Sequence, residues 1–214
     1  MSVCIAGSQY IPSIEYYAHW KHHRHITIEA HEHYQKRTWR NKTAVLGPDA
    51  PHFLTVPLQK GKHQQMPVRE VRIAYVEPWR KTHLNSLKTA YGKTAFFDEV
   101  LPALEIYFGE TYSTLWDLNI AGIHMIRSLL SGPWNYSLTD NFYITYATGD
   151  TDLRKGIAAG AGSLSDTLVP GYTQILRLHK THQPNLCILD AICHLGPETG
   201  AYLDRYADKL YEKP

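Results

Sequence analysis

The opening thirty residues constrain the fold more than any other stretch of the chain. Ser2–Ala6 (SVCIA) is apolar, carries two β-branched side chains and reads as a short buried strand. Pro12 suits the first turn of a helix. Over residues 13–21, Ile14, Tyr17 and Ala18 fall at i, i+3 and i+4, which gives one apolar face. His25–Glu29 (HITIE) alternates as a second strand. Strand, short helix and strand in so few residues is how an α/β unit begins.

Residues 43–58 read as a hairpin, TAVLG and HFLTVPL around the turn sequence GPDAP. Val68–Ala74 alternates as a further strand. Helices are expected over 79–92 and through most of 95–130, with an interruption near Gly109. Leu115, Leu118, Ile120, Ile123, Ile126, Leu129 and Leu130 keep a helical period and belong to a core. Asn141–Tyr146 (NFYITY) is a strand candidate, and the Gly/Ala/Ser-rich run 156–165 a mobile loop. A short apolar helix over Cys187–Leu195 is expected to stop at Gly196-Pro197, before a last helix over 198–210. The fold class is therefore α/β (or α+β): a small central β-sheet with an added hairpin, and helices dominating the middle and C-terminal parts. One domain over 1–214 is expected. It comprises a basic, strand-rich 1–76, a helical 77–132 and a mixed 133–214.

At 43% hydrophobic and 20% charged residues the composition is that of an ordinary globular chain, long enough to bury a core without staples. Cys4, Cys187 and Cys193 are too few and too scattered for a disulfide framework and read as buried structural thiols. No apolar run approaches a membrane span, and MSVCIAGSQY lacks the basic start of a signal peptide, so a cytoplasmic protein is expected. Charge is unevenly placed. Residues 1–94 hold 14 Lys/Arg against 6 Asp/Glu, a net of +8, whereas residues 95–152 hold 1 against 8, a net of −7. Such asymmetry points to an anionic ligand on the N-terminal half, or to a neutralising contact between the two halves. With a pI of about 8.3 and no recognisable nucleic-acid motif, a nucleic-acid partner is not expected.

The richest stretch is 29–42, EAHEHYQKRTWRNK, directly after a strand, where open α/β sheets bind ligands. Lys36, Arg37, Arg40 and Lys42 offer a point charge or a planar fork to phosphate or carboxylate. Tyr34, Trp39 and Asn41 between them suit a sugar or a base; a solvated basic loop is the plainer alternative. Glu29, His31 and His33 would share one side of a strand, as metal ligands do, yet no metal-binding spacing is present. Proton transfer by His31 is the more attractive role, because imidazole is the side chain whose ordinary pKa lies nearest neutrality. Ser8 follows the first strand, where a hydroxyl meets a ligand or caps a turn. A second cluster lies on the helix from residue 79. There Trp79, His83, Leu87 and Tyr91 form a stripe, so His83 and Tyr91 are either satisfied core groups or the wall of a site. There is no Walker loop, G-x-G-x-x-G or G-x-S-x-G elbow.

Five ordered blocks go beyond this reading: Tyr10-x-Pro12 with Tyr16; residues 29–41; residues 53–61 (FLTVPLQKG); residues 78–97; and LCILDAICHLGPET over 186–199. Together they resemble the WbqC-like family, over about residues 10–200, and particularly its Bacteroidetes-type members. The chain departs from the common Q-P-x-Y-x-P-W opening, with Gly7 and Ser8 before Gln9 and Tyr10 and with Ser13 after Pro12. The basic block is intact. The resemblance implies a place in O-antigen or other surface-polysaccharide biosynthesis, with acyl or aminoacyl transfer to an amino sugar as a lead.

The expectation is a transferase that binds a nucleotide-linked sugar, with a non-catalytic binding or assembly protein of the same pathway as the alternative. Lys36, Arg40 and Asn41 would hold the diphosphate beside Tyr34. Tyr10, Glu29 and Tyr91 would complete the substrate site, and His31 or His83 would act as general base. No cofactor is expected, with a divalent metal or ATP left open, and a homo-oligomer is possible.

Overall fold

The computed structural model describes residues 3–61, 66–154, 157, 171–175 and 182–212. Strand β1 (Cys4–Gly7) is buried along its whole length. Helix α1 (Ile14–His23) starts at Ser13, whose hydroxyl accepts from the Tyr16 N–H, and ends at Arg24 in a left-handed conformation (φ 58°). It returns the chain to β2 (His25–Glu29), which pairs parallel to β1 with Ile5 opposite Thr27. The α/β opening expected from the first thirty residues is thus realised.

Two further strands complete a four-stranded parallel sheet in the order β5-β2-β1-β6. Strand β5 (Asn135–Leu138) lies beside β2, and the two-residue β6 (Thr151–Asp152) lies beside β1. The hairpin β3 (Lys42–Val45) and β4 (His52–Thr55) forms a separate antiparallel pair, Lys42 facing Thr55. Between hairpin and β5 come α2 (Trp79–Tyr91), α3 (Phe97–Gly109) and α4 (Leu115–Leu129). The chain closes with α5 (Ile188–Leu195) and α6 (Thr199–Tyr211). Helix α4 opens with a capping box, Thr114 and Asp117 each satisfying the other's backbone N–H. Arg80 on α2 reaches the carbonyls of Gly109 and Glu110, where the C-terminal end of α3 attracts a cation. No helix of the described residues is long and apolar enough to cross a membrane.

The core is one contiguous cluster from the sheet through α1 to α4, α5 and α6. Along α1 every residue from Ile14 to Trp20 is buried, because the sheet and α6 cover it from two sides. Tyr17 stacks on Trp20 at 5.6 Å, and Trp134 meets both edge-on. All three cysteines are buried free thiols.

Two local expectations are corrected. Val68–Ala74 is not a strand: Val68–Glu70 is a 3-10 turn, and Arg72 and Ile73 make only isolated bridges, although Val68, Val71 and Ile73 are buried as the alternation implied. Asn141–Tyr146 is not a strand either. Phe142, Tyr143 and Ile144 are exposed, and the carbonyls of Tyr143 and Ile144 accept from Arg154 instead of a neighbouring strand. The stop expected at Gly196-Pro197 is found: α5 ends at Leu195, and a 3-10 turn over Gly196–Glu198 leads into α6. The loop expected over 156–165 lies outside the described residues, Ile157 excepted.

Candidate functional site

The chain crosses the sheet from β1 to β2 to β5 and only then returns to set β6 on the far side of β1. Strand order therefore reverses between β1 and β6, and beyond the carboxyl ends of strands at such a reversal open α/β sheets bind ligands. A cavity of about 260 Å³ occupies that position. Gly7, Ser8 and Gln9 line it from the end of β1, Leu153, Arg154 and Ile157 from beyond β6, and residues of the 35–40 loop close it.

An ion network holds this wall. Arg40 (4% exposed) donates through Nε at 2.8 Å and through Nη2 to the two carboxylate oxygens of Glu32 (3% exposed). Arg154 forks onto Asp152, with Nε at 2.9 Å from Oδ1 and Nη2 at 2.6 Å from Oδ2. Its Nη1 reaches Glu29 at 3.3 Å. Glu29, fully buried at the end of β2, also accepts from the His31 N–H, the Thr139 hydroxyl and the Tyr146 hydroxyl. Gly7 leaves room for the Arg40–Glu32 pair, since a Cβ there would stand 2.9 Å from Glu32 Oε1 and 3.1 Å from Arg40 Nη2. Asn119 from α4 ties the wall from behind, donating to Ser8 Oγ at 3.2 Å and to the Arg40 carbonyl at 2.9 Å.

A second concavity of about 650 Å³ opens beside the hairpin. Lys36, Arg37, Lys42 and Lys60 line it with Tyr34, Asn41 and residues 55–59, and no carboxylate stands among its lining residues. Arg37 lines both spaces. Its backbone is left-handed (φ 60°), a conformation uncommon for a non-glycine residue.

The model of the WbqC-like protein family matches residues 7–159, from the last residue of β1 to just beyond Arg154. The chain belongs to the WbqC-like protein family. It is 28% identical over 225 residues to the uncharacterized protein Rv1507c of Mycobacterium tuberculosis, covering 94% of this chain and 96% of that protein. No solved structure matches the chain significantly. Every residue that lines the two concavities of this WbqC-like chain lies within the matched span.

The site residues expected from sequence fall into four groups. Lys36, Arg40, Asn41 and Tyr34 stand on the walls of the two concavities. Asn41 is occupied locally, accepting from the Tyr34 hydroxyl and donating to the Val56 carbonyl. Glu29 sits behind the wall and positions Arg154. Tyr10, His83 and Tyr91 are core groups. The Tyr10 hydroxyl and His83 Nδ1 are 2.8 Å apart and buried, and the Tyr91 hydroxyl accepts from the Leu46 N–H. Burial pushes the His83 imidazole down to about 4, with His52 adding to the effect. His31 is exposed at the end of β2, above the buried Glu29, and His33 is exposed beyond it. Neither His31 nor His83 lines either concavity.

Sequence reading missed Arg154, Asp152, Glu32, Gln9, Asn119 and Lys60. The Glu32–Arg40 pair, eight residues apart within the basic block, carried a local hint of opposite charge. Arg154 carried none, because only the β1–β6 pairing brings it to Arg40.

Proposed function

We propose that this WbqC-like protein binds a nucleotide-linked sugar and transfers a group to or from the sugar, as an enzyme of surface-polysaccharide biosynthesis. One observation carries the reading: a cleft walled, among the described residues, by four cations and no carboxylate is joined through Arg37 to a polar pocket at the strand-order reversal. Lys36, Arg37, Lys42 and Lys60 suit a diphosphate, since uncompensated cations attract an anion and arginine forks onto phosphate oxygens. The other two cations of the inner pocket are different in kind, because Glu32, Glu29 and Asp152 neutralise Arg40 and Arg154. That pocket suits an uncharged polar group such as a sugar ring, with Ser8, Gln9, Gln35 and Thr38 along its wall and Trp39 for an apolar face. Asn41 and Tyr34 brace the cleft. His31, exposed at the carboxyl end of β2, is the imidazole offered for proton transfer, whereas His83 is bonded to Tyr10 in the core.

The second reading is a binding or assembly protein of the same pathway. It is favoured by the position of both histidines outside the two concavities.

Calorimetric titration with UDP-glucose, UDP-N-acetylglucosamine, GDP-mannose and dTDP-glucose tests the binding claim. A charge-assisted hydrogen bond contributes about 1.5–3 kcal/mol, so Arg37→Ala and Lys36→Ala are each expected to weaken the tightest of these ligands by roughly tenfold or more. Equal affinity in parent and variants, or no binding to any of the four, overturns it. Turnover with any donor and acceptor pair separates the enzyme from the binding protein.

A further inference from the structure

Gln9 directly follows Gly7 and Ser8 at the inner end of the pocket and is 7% exposed. Its Oε1 is buried and finds no hydrogen-bond partner among the described residues. Turning the amide over would leave a buried N–H group in the same position, so one end of this side chain stays unsatisfied either way. Other buried polar atoms share that condition, Tyr16 and Trp79 among them, but Gln9 alone of these lines the pocket.

Its backbone is not free to relieve the shortage. The Tyr10 N–H donates to the Trp39 carbonyl at 2.9 Å, and the Ile11 carbonyl accepts from the Thr43 hydroxyl at 2.8 Å. The Ile188 N–H donates to the Pro12 carbonyl at 2.9 Å. Ile11 itself is held at φ 43°, a conformation a β-branched residue adopts only when its surroundings impose it. A buried amide with an unmet hydrogen bond, on a backbone pinned from the next residue onward, is a site made ready for a partner.

We infer that Gln9 is the residue that recognises the sugar, its amide hydrogen-bonding a hydroxyl of the ligand in the inner pocket. A hydroxyl both donates and accepts, so it satisfies the amide in either orientation, and Gln9 is placed apart from the cationic cleft assigned to the phosphates. This rests on the nucleotide-sugar reading and adds the division of labour within it: cations for the diphosphate, Gln9 for the sugar.

The test compares parent, Gln9→Met and Gln9→Leu with UDP-glucose, UDP-N-acetylglucosamine and GDP-mannose on one side and UDP and GDP on the other. Affinity is read by calorimetry and stability by thermal melting. The expected result has three parts: the diphosphates bind all three proteins alike, the best sugar nucleotide binds the variants about tenfold or more weakly, and melting is not lowered in at least one variant. A merely structural glutamine would lower melting and leave this selectivity untouched. Equal sugar-nucleotide affinity overturns the inference. So does an equal loss for diphosphate and sugar nucleotide, or a lowered melting point in both variants. If the parent binds none of the five compounds, the nucleotide-sugar reading itself fails and this inference with it.

Discussion

Arg40 and Arg37 lie three residues apart and do opposite work. Arg40 is buried against Glu32, so removing it leaves a carboxylate in the interior without its partner. Arg40→Ala is expected to destabilise the protein by about 3–5 kcal/mol, read as a lowered urea midpoint. Arg37 is exposed, and Arg37→Ala should change stability by no more than about 0.5 kcal/mol while weakening ligand. A stability loss in Arg37→Ala equal to that in Arg40→Ala would contradict this division. His83 supplies a second residue-scale prediction. Its folded pKa of about 4 lies below the ordinary histidine value, so between the two the unfolded chain binds more protons. The contribution is present above about pH 6.5 and is lost as pH falls toward 4, on the order of 3 kcal/mol in total. Subtracting the stability-versus-pH curve of His83→Gln from that of the parent should isolate this loss. A flat difference would show that the imidazole is not held neutral by the fold.

Among the elements, the long helices were the most legible. The expected helix over 79–92 is Trp79–Tyr91, and the break near Gly109 falls between Phe97–Gly109 and Leu115–Leu129. Ten or more residues of helical period leave little ambiguity. Short strands gave the opposite result. Strand β5 (NYSL) is an edge strand of four residues, with three exposed and one half-buried, and β6 has two residues, so neither can display a period. NFYITY has β-propensity to spare but no burial, and propensity alone does not make a strand without a neighbour to pair with. The end of β1 gives the element-scale prediction. Gly7→Ala would press a methyl against the Arg40–Glu32 pair, which overpacking penalties put at about 1–3 kcal/mol. A variant as stable as the parent would mean that the pair yields freely.

For the whole molecule, the charge asymmetry along the chain was legible as a basic N-terminal half, and the cleft gathers Lys36, Arg37, Lys42 and Lys60 from it. What could not be read was the assembly of the inner pocket, because its wall joins Gly7–Gln9, Gln35 and Arg37–Arg40 to Leu153, Arg154 and Ile157. Arg154 stands 114 positions from Arg40, and no local spacing announces a partner so remote. Cations on an open cleft act through solvent, so ligand affinity is expected to fall as salt rises from about 0.01 to 0.15 M, over which the screening length shrinks from roughly 30 to 8 Å. Affinity independent of salt would remove the electrostatic role of the cleft. The Arg40–Glu32 pair, shielded from solvent, should hold the melting temperature nearly constant over the same range.

The pairing of Cys4 with Thr151 has a consequence for how the protein is born. Translation proceeds at roughly 5–20 residues per second, so the edge of the first strand waits about 7–30 s for its neighbour to leave the ribosome. Throughout that interval the nascent chain has an unpaired apolar edge of the kind that recruits foreign strands. A chain cut short before residue 151 should therefore aggregate, whereas the finished one closes its own seam.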